Sequence, residues 1–162
     1  MIKVGTIFEI QLSGYRKAFG QYIHKDRMGP IIKVFNLITK ERPDQNIILN
    51  SALLFPPIIT GLFAALKAGL WVPIGFDEVK QFDYPGFVST LYDQKTGEAN
   101  IWFYWDGNKS IRLGTELQDE FKNKEYLMVW DPNDVVHRIE TGEYPFPYKD
   151  LILFNKFSPR NE

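Results

Sequence analysis

The chain has 162 residues, 19 of them basic and 20 acidic, a formal net charge of −1 and no cysteine. A near-neutral chain argues against tight nonspecific nucleic-acid binding, which depends on neutralising phosphates, and equally against mimicry of DNA. The missing cysteine excludes a disulfide framework and any thiolate metal site. The length suits one domain over residues 1–162 that buries about 70% of the surface of its unfolded chain. Aromatic residues make up 15% of the chain, which predicts an aromatic core and some ring surface beside it. No basic, apolar and small-residue sequence of the secretory kind precedes the first strand, so the protein is expected to begin at Met1.

The first predicted element is a three-stranded meander. In Val4 to Leu12, the residues Val4, Phe8, Ile10 and Leu12 fall on one face of a strand and Gly5, Glu9 and Gln11 on the other. Ser13-Gly14 reads as a tight hairpin connection, with glycine supplying a positive φ. The chain returns through Arg16 to Lys25, turns near Gly29-Pro30 and sets out again from Ile31 to Ile38. The second strand does not alternate cleanly, so both of its faces are expected to be partly covered, and Gly20 marks a bend or a close backbone contact.

Thr39 to Asn46 is polar and reads as a loop. Ala52 to Trp71 carries a single charge, Lys67, and its length raises the question of a bilayer span. Pro56-Pro57, Gly61, Gly69 and the lack of flanking basic clusters speak against it. The expectation is a core strand over Ala52 to Thr60, then a short helix over Leu62 to Ala68 capped by Gly69. Further strands are predicted from Phe87 to Tyr92, from Ala99 to Trp105 and from Lys109 to Leu113, the last two joined at Asp106-Gly107-Asn108. Thr115 to Lys124 reads as a loop or short helix, and Tyr126 to Val129 as a strand. Asp131-Pro132 opens a helix that runs to Glu140 and stops at Gly142, and Leu151 to Phe157 reads as an edge strand or packed tail. The fold class is α+β and mostly β: a strongly curved antiparallel sheet or partly open barrel with one or two short helices.

Signals for chemistry are sparse. His24 and His137 are the only imidazoles and stand far apart in sequence. Asp131, Asp134 and His137 recur every three residues, but acids at a helix start more simply cap its free N–H groups and complement its dipole. Ser13 lacks a base, and the chain has no nucleophile elbow, phosphate-cradling loop or paired histidines one turn apart. No catalytic residue, cofactor or metal is therefore expected. Binding needs only anchors ringed by charge, on about 800 Å² of each partner. The candidates are Trp102, Tyr104, Trp105 and Asp106, together with Asp77, Glu78, Asp93, Glu116, Asp119 and Glu120. An alternative is a small β-barrel module that binds a ligand or single-stranded nucleic acid by stacking on Trp102, Tyr104 and Trp105.

The run Lys3 to Leu12, followed by Tyr15 and Ala18-Phe19-Gly20-Gln21-Tyr22, resembles the start of the bacterial immunity protein 26 family. Leu53-Leu54-Phe55-Pro56, then Leu66 and Gly69-Leu70-Trp71-Val72-Pro73-Ile74-Gly75, resembles its central pattern, with Pro57 and the apolar link Leu62 to Leu66 as departures. The resemblance covers roughly residues 3 to 105. It implies a cytoplasmic bacterial protein of a polymorphic toxin system that neutralises a contact-dependent or secreted toxin by occlusion. The implied partner is a cognate protein toxin, in such systems often a nuclease, with no catalysis by the chain itself, no direct nucleic-acid contact and no membrane.

Overall fold

A computed structural model describes residues 2–156. In chain order the elements are β1 (Thr6–Gln11), β2 (Lys17–Asp26), β3 (Gly29–Val34), α1 (Gln45–Leu49), β4 (Ile58–Thr60), α2 (Leu62–Lys67) and β5 (Trp71–Phe76). These are followed by β6 (Phe87–Tyr92), β7 (Ala99–Trp105), β8 (Ser110–Gly114), β9 (Glu125–Tyr126), β10 (Val129–Trp130), α3 (Pro132–Thr141) and α4 (Tyr148–Phe154). The protein is α+β and mostly β, as its sequence implies. The strands form two open mixed sheets in place of a single strongly curved antiparallel sheet or partly open barrel, and among the described residues four helices stand where one or two were expected.

The chain packs as two compact units. One comprises the residues up to Asp83 together with Met128–Glu143, and the other Tyr84–Leu127 with the segment from Tyr144 onward. In the first unit the sheet order is β10-β4-β3-β2-β1-β5, antiparallel except for the parallel pair of β10 and β4. The meander is as expected, but both faces of its strands are buried. On one face Ile7, Phe19 and Phe35 pack with Ile48 of α1. On the other, Phe8 stacks on Trp71 with ring centroids 5.3 Å apart. This double burial removes the simple alternation of a half-exposed strand. A Cβ on Gly20 would lie 2.6 Å from the ring of Phe8 and 3.0 Å from the Lys33 carbonyl oxygen, so this glycine is a point of close approach.

Two features of this unit depart from expectation. The strand predicted over Ala52 to Thr60 is confined to Ile58–Thr60, because Pro56 and Pro57 have no N–H to offer a ladder. A short helix, α1, closes the loop predicted over Thr39 to Asn46. The helix α2 and its glycine cap lie where predicted, and no described helix is long and apolar enough to cross a membrane. In α3, Asp131 accepts a hydrogen bond from the Asn133 backbone N–H at 2.8 Å, Pro132 occupies the first turn, and Gly142 ends the helix in the left-handed conformation. Behind it Arg138 lies with its guanidinium 4.0 Å from the Phe55 ring centroid and 5.1 Å from that of Trp130.

The second unit is a sheet of order β8-β7-β6-β9, with β6 and β9 parallel. Its core gathers Val88, Ala99, Trp102, Leu117, Tyr148 and Leu151. The segment predicted as an edge strand over Leu151 to Phe157 is helix α4 up to Phe154, while Phe157 lies outside the described residues. Asn155, in the left-handed conformation, ends that helix. Its side chain accepts from the Trp102 indole N–H at 2.7 Å and donates to the carbonyls of Ala99 and Thr115 at 3.4 and 3.2 Å. One residue thus joins a helix end, a core tryptophan, the start of β7 and the loop that follows β8.

Candidate functional site

The first unit holds an open cleft of about 380 Å³ between α1 and the connector that leaves β5. Its floor is the sheet face that carries Gln21 of β2 and Lys33 of β3; one wall is Asn46, Leu49 and Asn50, and the other runs from Asp77 to Gln81. The connector is pinned from beneath. Buried Gln21 donates its amide to the backbone oxygens of Gly5 and Asp77 at 3.3 and 3.0 Å, and the Asp77 N–H donates to Gly5 at 3.0 Å. The backbone groups of Asp77 are thereby fixed while its carboxylate remains exposed at the cleft.

The electrostatics of the cleft are mixed. Lys33 is half-buried, and burial pushes its ammonium pKa below the ordinary lysine value, an effect that the nearby Asp77 carboxylate opposes. Asp77, Glu78 and Lys80 place charges of both signs around it, and Asn46, Asn50 and Gln81 add amides. The lining thus presents hydrogen-bond donors and acceptors and charges of both signs.

The remaining sequence-derived candidates belong to the second unit. Trp102 is fully buried, with its N–H held by Asn155. Tyr104 and Trp105 are half-buried, Tyr104 packing on Phe121 at 5.2 Å between centroids. The stacking platform of three rings therefore has one ring withdrawn into the core. Asp93 accepts from the backbone N–H groups of Lys95 and Thr96, and Asp106 from those of Asn108 and Lys109, so both carboxylates shape hairpin turns. Backbone hydrogen bonds from Lys109 and Asn108 hold the Asp106 carboxyl below its usual pKa. Asp119 pairs with Lys122 at 3.0 Å, and Glu116 lines a second hollow of about 260 Å³ with Lys122 and residues 152–155. Glu120 is exposed.

Sequence reasoning had no means of placing Lys33 beside Asp77, because these residues meet only through the strand order β3-β2-β1-β5. It also missed the Glu9 cluster. Glu9, predicted on the more polar face of β1, is buried and paired with Lys17 at 3.2 Å and Arg42 at 2.8 Å. His137 contacts Glu143 at 3.1 Å, and no group of three or more metal-binding side chains occurs among the described residues.

A mostly β chain with a pinned polar cleft and exposed acidic loops has the features of a protein that presents a surface to a partner. The family model for immunity protein 26 matches residues 3–96, more than half of the chain, and the chain belongs to that family. Membership carries a role in immunity to a toxin and implies a toxin partner. No curated protein and no solved structure matches the chain. Lys33, Asp77 and Glu78 of the cleft fall inside the matched residues, as does Asp93, whereas Trp102, Tyr104, Trp105, Asp106, Glu116, Asp119 and Glu120 lie beyond them.

Proposed function

We propose that the protein binds a cognate bacterial toxin of a polymorphic, contact-dependent or secreted system in the cytoplasm and neutralises it by occlusion, with no reaction of its own. The observation that carries this reading is the family match over residues 3–96, which contains the whole cleft. Within the cleft, Asp77 and Glu78 are the acidic contacts. A nuclease is the expected toxin, since a basic substrate groove would be steered toward these carboxylates. Tyr104, Trp105 and the exposed acids Glu116 and Glu120 of the second unit are further candidate contacts, and buried Trp102 holds β7 through Asn155.

The test is co-expression with the toxin encoded beside this gene, scored by growth and by recovery of a complex. The native chain is expected to rescue growth. The double variant Asp77→Asn/Glu78→Gln is expected to associate about tenfold more slowly at low salt, with a difference that shrinks as salt rises. A toxin that is neither bound nor neutralised by the native chain would end this reading.

A further inference from the structure

The connection between β1 and β2 is a 3-10 turn over Ser13–Tyr15, one residue longer than the Ser13-Gly14 link that the sequence suggests. Gly14 and Tyr15 both adopt left-handed backbone conformations, with φ of 68° and 58°. The first is ordinary for glycine. The second is not ordinary for tyrosine, whose Cβ crowds its own following carbonyl there. The ring gains nothing inside the fold in return, for Tyr15 is 91% exposed. A backbone outlier that carries a fully solvated aromatic side chain points to a use outside the fold.

The turn is also held in place. The Ser13 N–H donates to Glu140 Oε1 at 2.7 Å, and Arg16 donates through Nε to the Ser13 carbonyl at 3.1 Å and through Nη2 to Ser13 Oγ at 3.2 Å. Arg16 Nη2 lies 3.8 Å from the same Glu140 oxygen, and the Leu12 N–H donates to the Arg16 carbonyl at 2.9 Å. Helix α3 thus braces the hairpin tip through Glu140. The two charges at the base of the ring are paired with each other, so the tip projects an aromatic group on a locally balanced footing.

Resting on the toxin-binding reading above, we infer that the Ser13–Tyr15 turn is a preorganised anchor whose tyrosine ring enters an apolar pocket on the partner toxin. A rigidly displayed aromatic is the residue type that dominates interface energetics, and a pinned turn removes the ordering penalty that a mobile loop would carry into binding. Paired charges at its base favour an apolar recess over a charged groove.

Tyr15→Asn tests the inference, because asparagine accepts the left-handed conformation and removes the ring. Affinity for the toxin encoded beside this gene is measured by calorimetry, and the Tm of each free variant by thermal denaturation. Tyr15→Asn is expected to weaken binding by about 30-fold or more, the scale of an interface hot spot, with Tm unchanged or raised. Tyr15→Phe, which keeps the ring, is expected to bind like the native chain. Native-like binding by Tyr15→Asn would overturn the anchor while leaving the toxin reading intact. A fall in Tm for Tyr15→Asn would show that the ring serves the fold and would also overturn it. A loss in Tyr15→Phe as large as in Tyr15→Asn would overturn the apolar pocket. If the native chain itself fails to bind that toxin, the functional reading falls and the anchor with it.

Discussion

Replacing Arg42 by alanine should expose how the first sheet holds a buried carboxylate. Glu9 is 3% exposed in its side chain, with Lys17 Nζ at 3.2 Å from one oxygen and Arg42 Nη2 at 2.8 Å from the other. Burial alone would raise its pKa, but the hydrogen bonds and charges of Arg42 and Lys17 outweigh it and hold the group below its ordinary 4.5. A hydrogen bond to a charged group contributes about 1.5–3 kcal/mol, and the half-exposed guanidinium places this one at the low end, about 1.5 kcal/mol. For a chain of this size that loss lowers Tm by about 3–6 °C. The pH dependence carries the sign of a depressed carboxylate: its contribution is complete above the unfolded value and disappears as pH falls through the folded one. Urea denaturation of the native chain and Arg42→Ala should therefore show a gap at pH 7 that closes at acid pH below 4.5. The same gap should shrink in a Glu9→Gln background. A difference that persists unchanged at acid pH, or in that background, would refute the ion-pair account.

Asn155→Ala removes the left-handed cap of α4, the acceptor for the Trp102 indole and two donors at once, and should lower stability by about 2–3 kcal/mol in equilibrium denaturation. A loss under about 0.5 kcal/mol would show that the knot of contacts is replaceable. Lys33→Met should raise stability by about 0.5–1 kcal/mol at pH 7, because a half-buried ammonium is removed. Since the folded pKa of Lys33 is lowered, the unfolded chain binds its proton more tightly and native stability rises with pH below the ordinary lysine value. The advantage of Lys33→Met should accordingly narrow as pH rises toward that value, and a constant gap would contradict the desolvation argument.

Elements built from neighbouring residues were legible in the sequence. β6 and β7 fall on Phe87–Tyr92 and Ala99–Trp105 as predicted, because alternation, β-branched and aromatic residues and a glycine-bearing loop all agree. The helix from Pro132 to Thr141 was legible because Asp131, Pro132 and Gly142 supply its punctuation. What depended on distant partners was not. The single strand predicted over Tyr126 to Val129 is two short strands in different sheets, each paired in parallel with a strand remote in sequence, and parallel pairing leaves no local turn signal. α4 reads as a strand because Leu151 to Phe154 is a run of apolar residues, although only Leu151 is fully buried while Leu153 and Phe154 are exposed. The candidate site divides along the same line. The acids Asp77 and Glu78 stand out in a polar connector, whereas the lysine beside them is set by strand order and the aromatic hairpin by side-chain burial.

The parallel pairing of β10 with β4 also bears on synthesis. The Thr60 hydroxyl donates to the Trp130 carbonyl at 2.8 Å, and the Gly61 N–H reaches the same oxygen at 3.3 Å. As the chain leaves the ribosome, β1 to β5 emerge with the outer rim of β4 still bare, and some seventy residues must follow before its partner arrives. The earliest sheet to be made is thus sealed late, and a nascent chain halted after β6 would display an open strand edge of the kind that invites chaperones or aggregation.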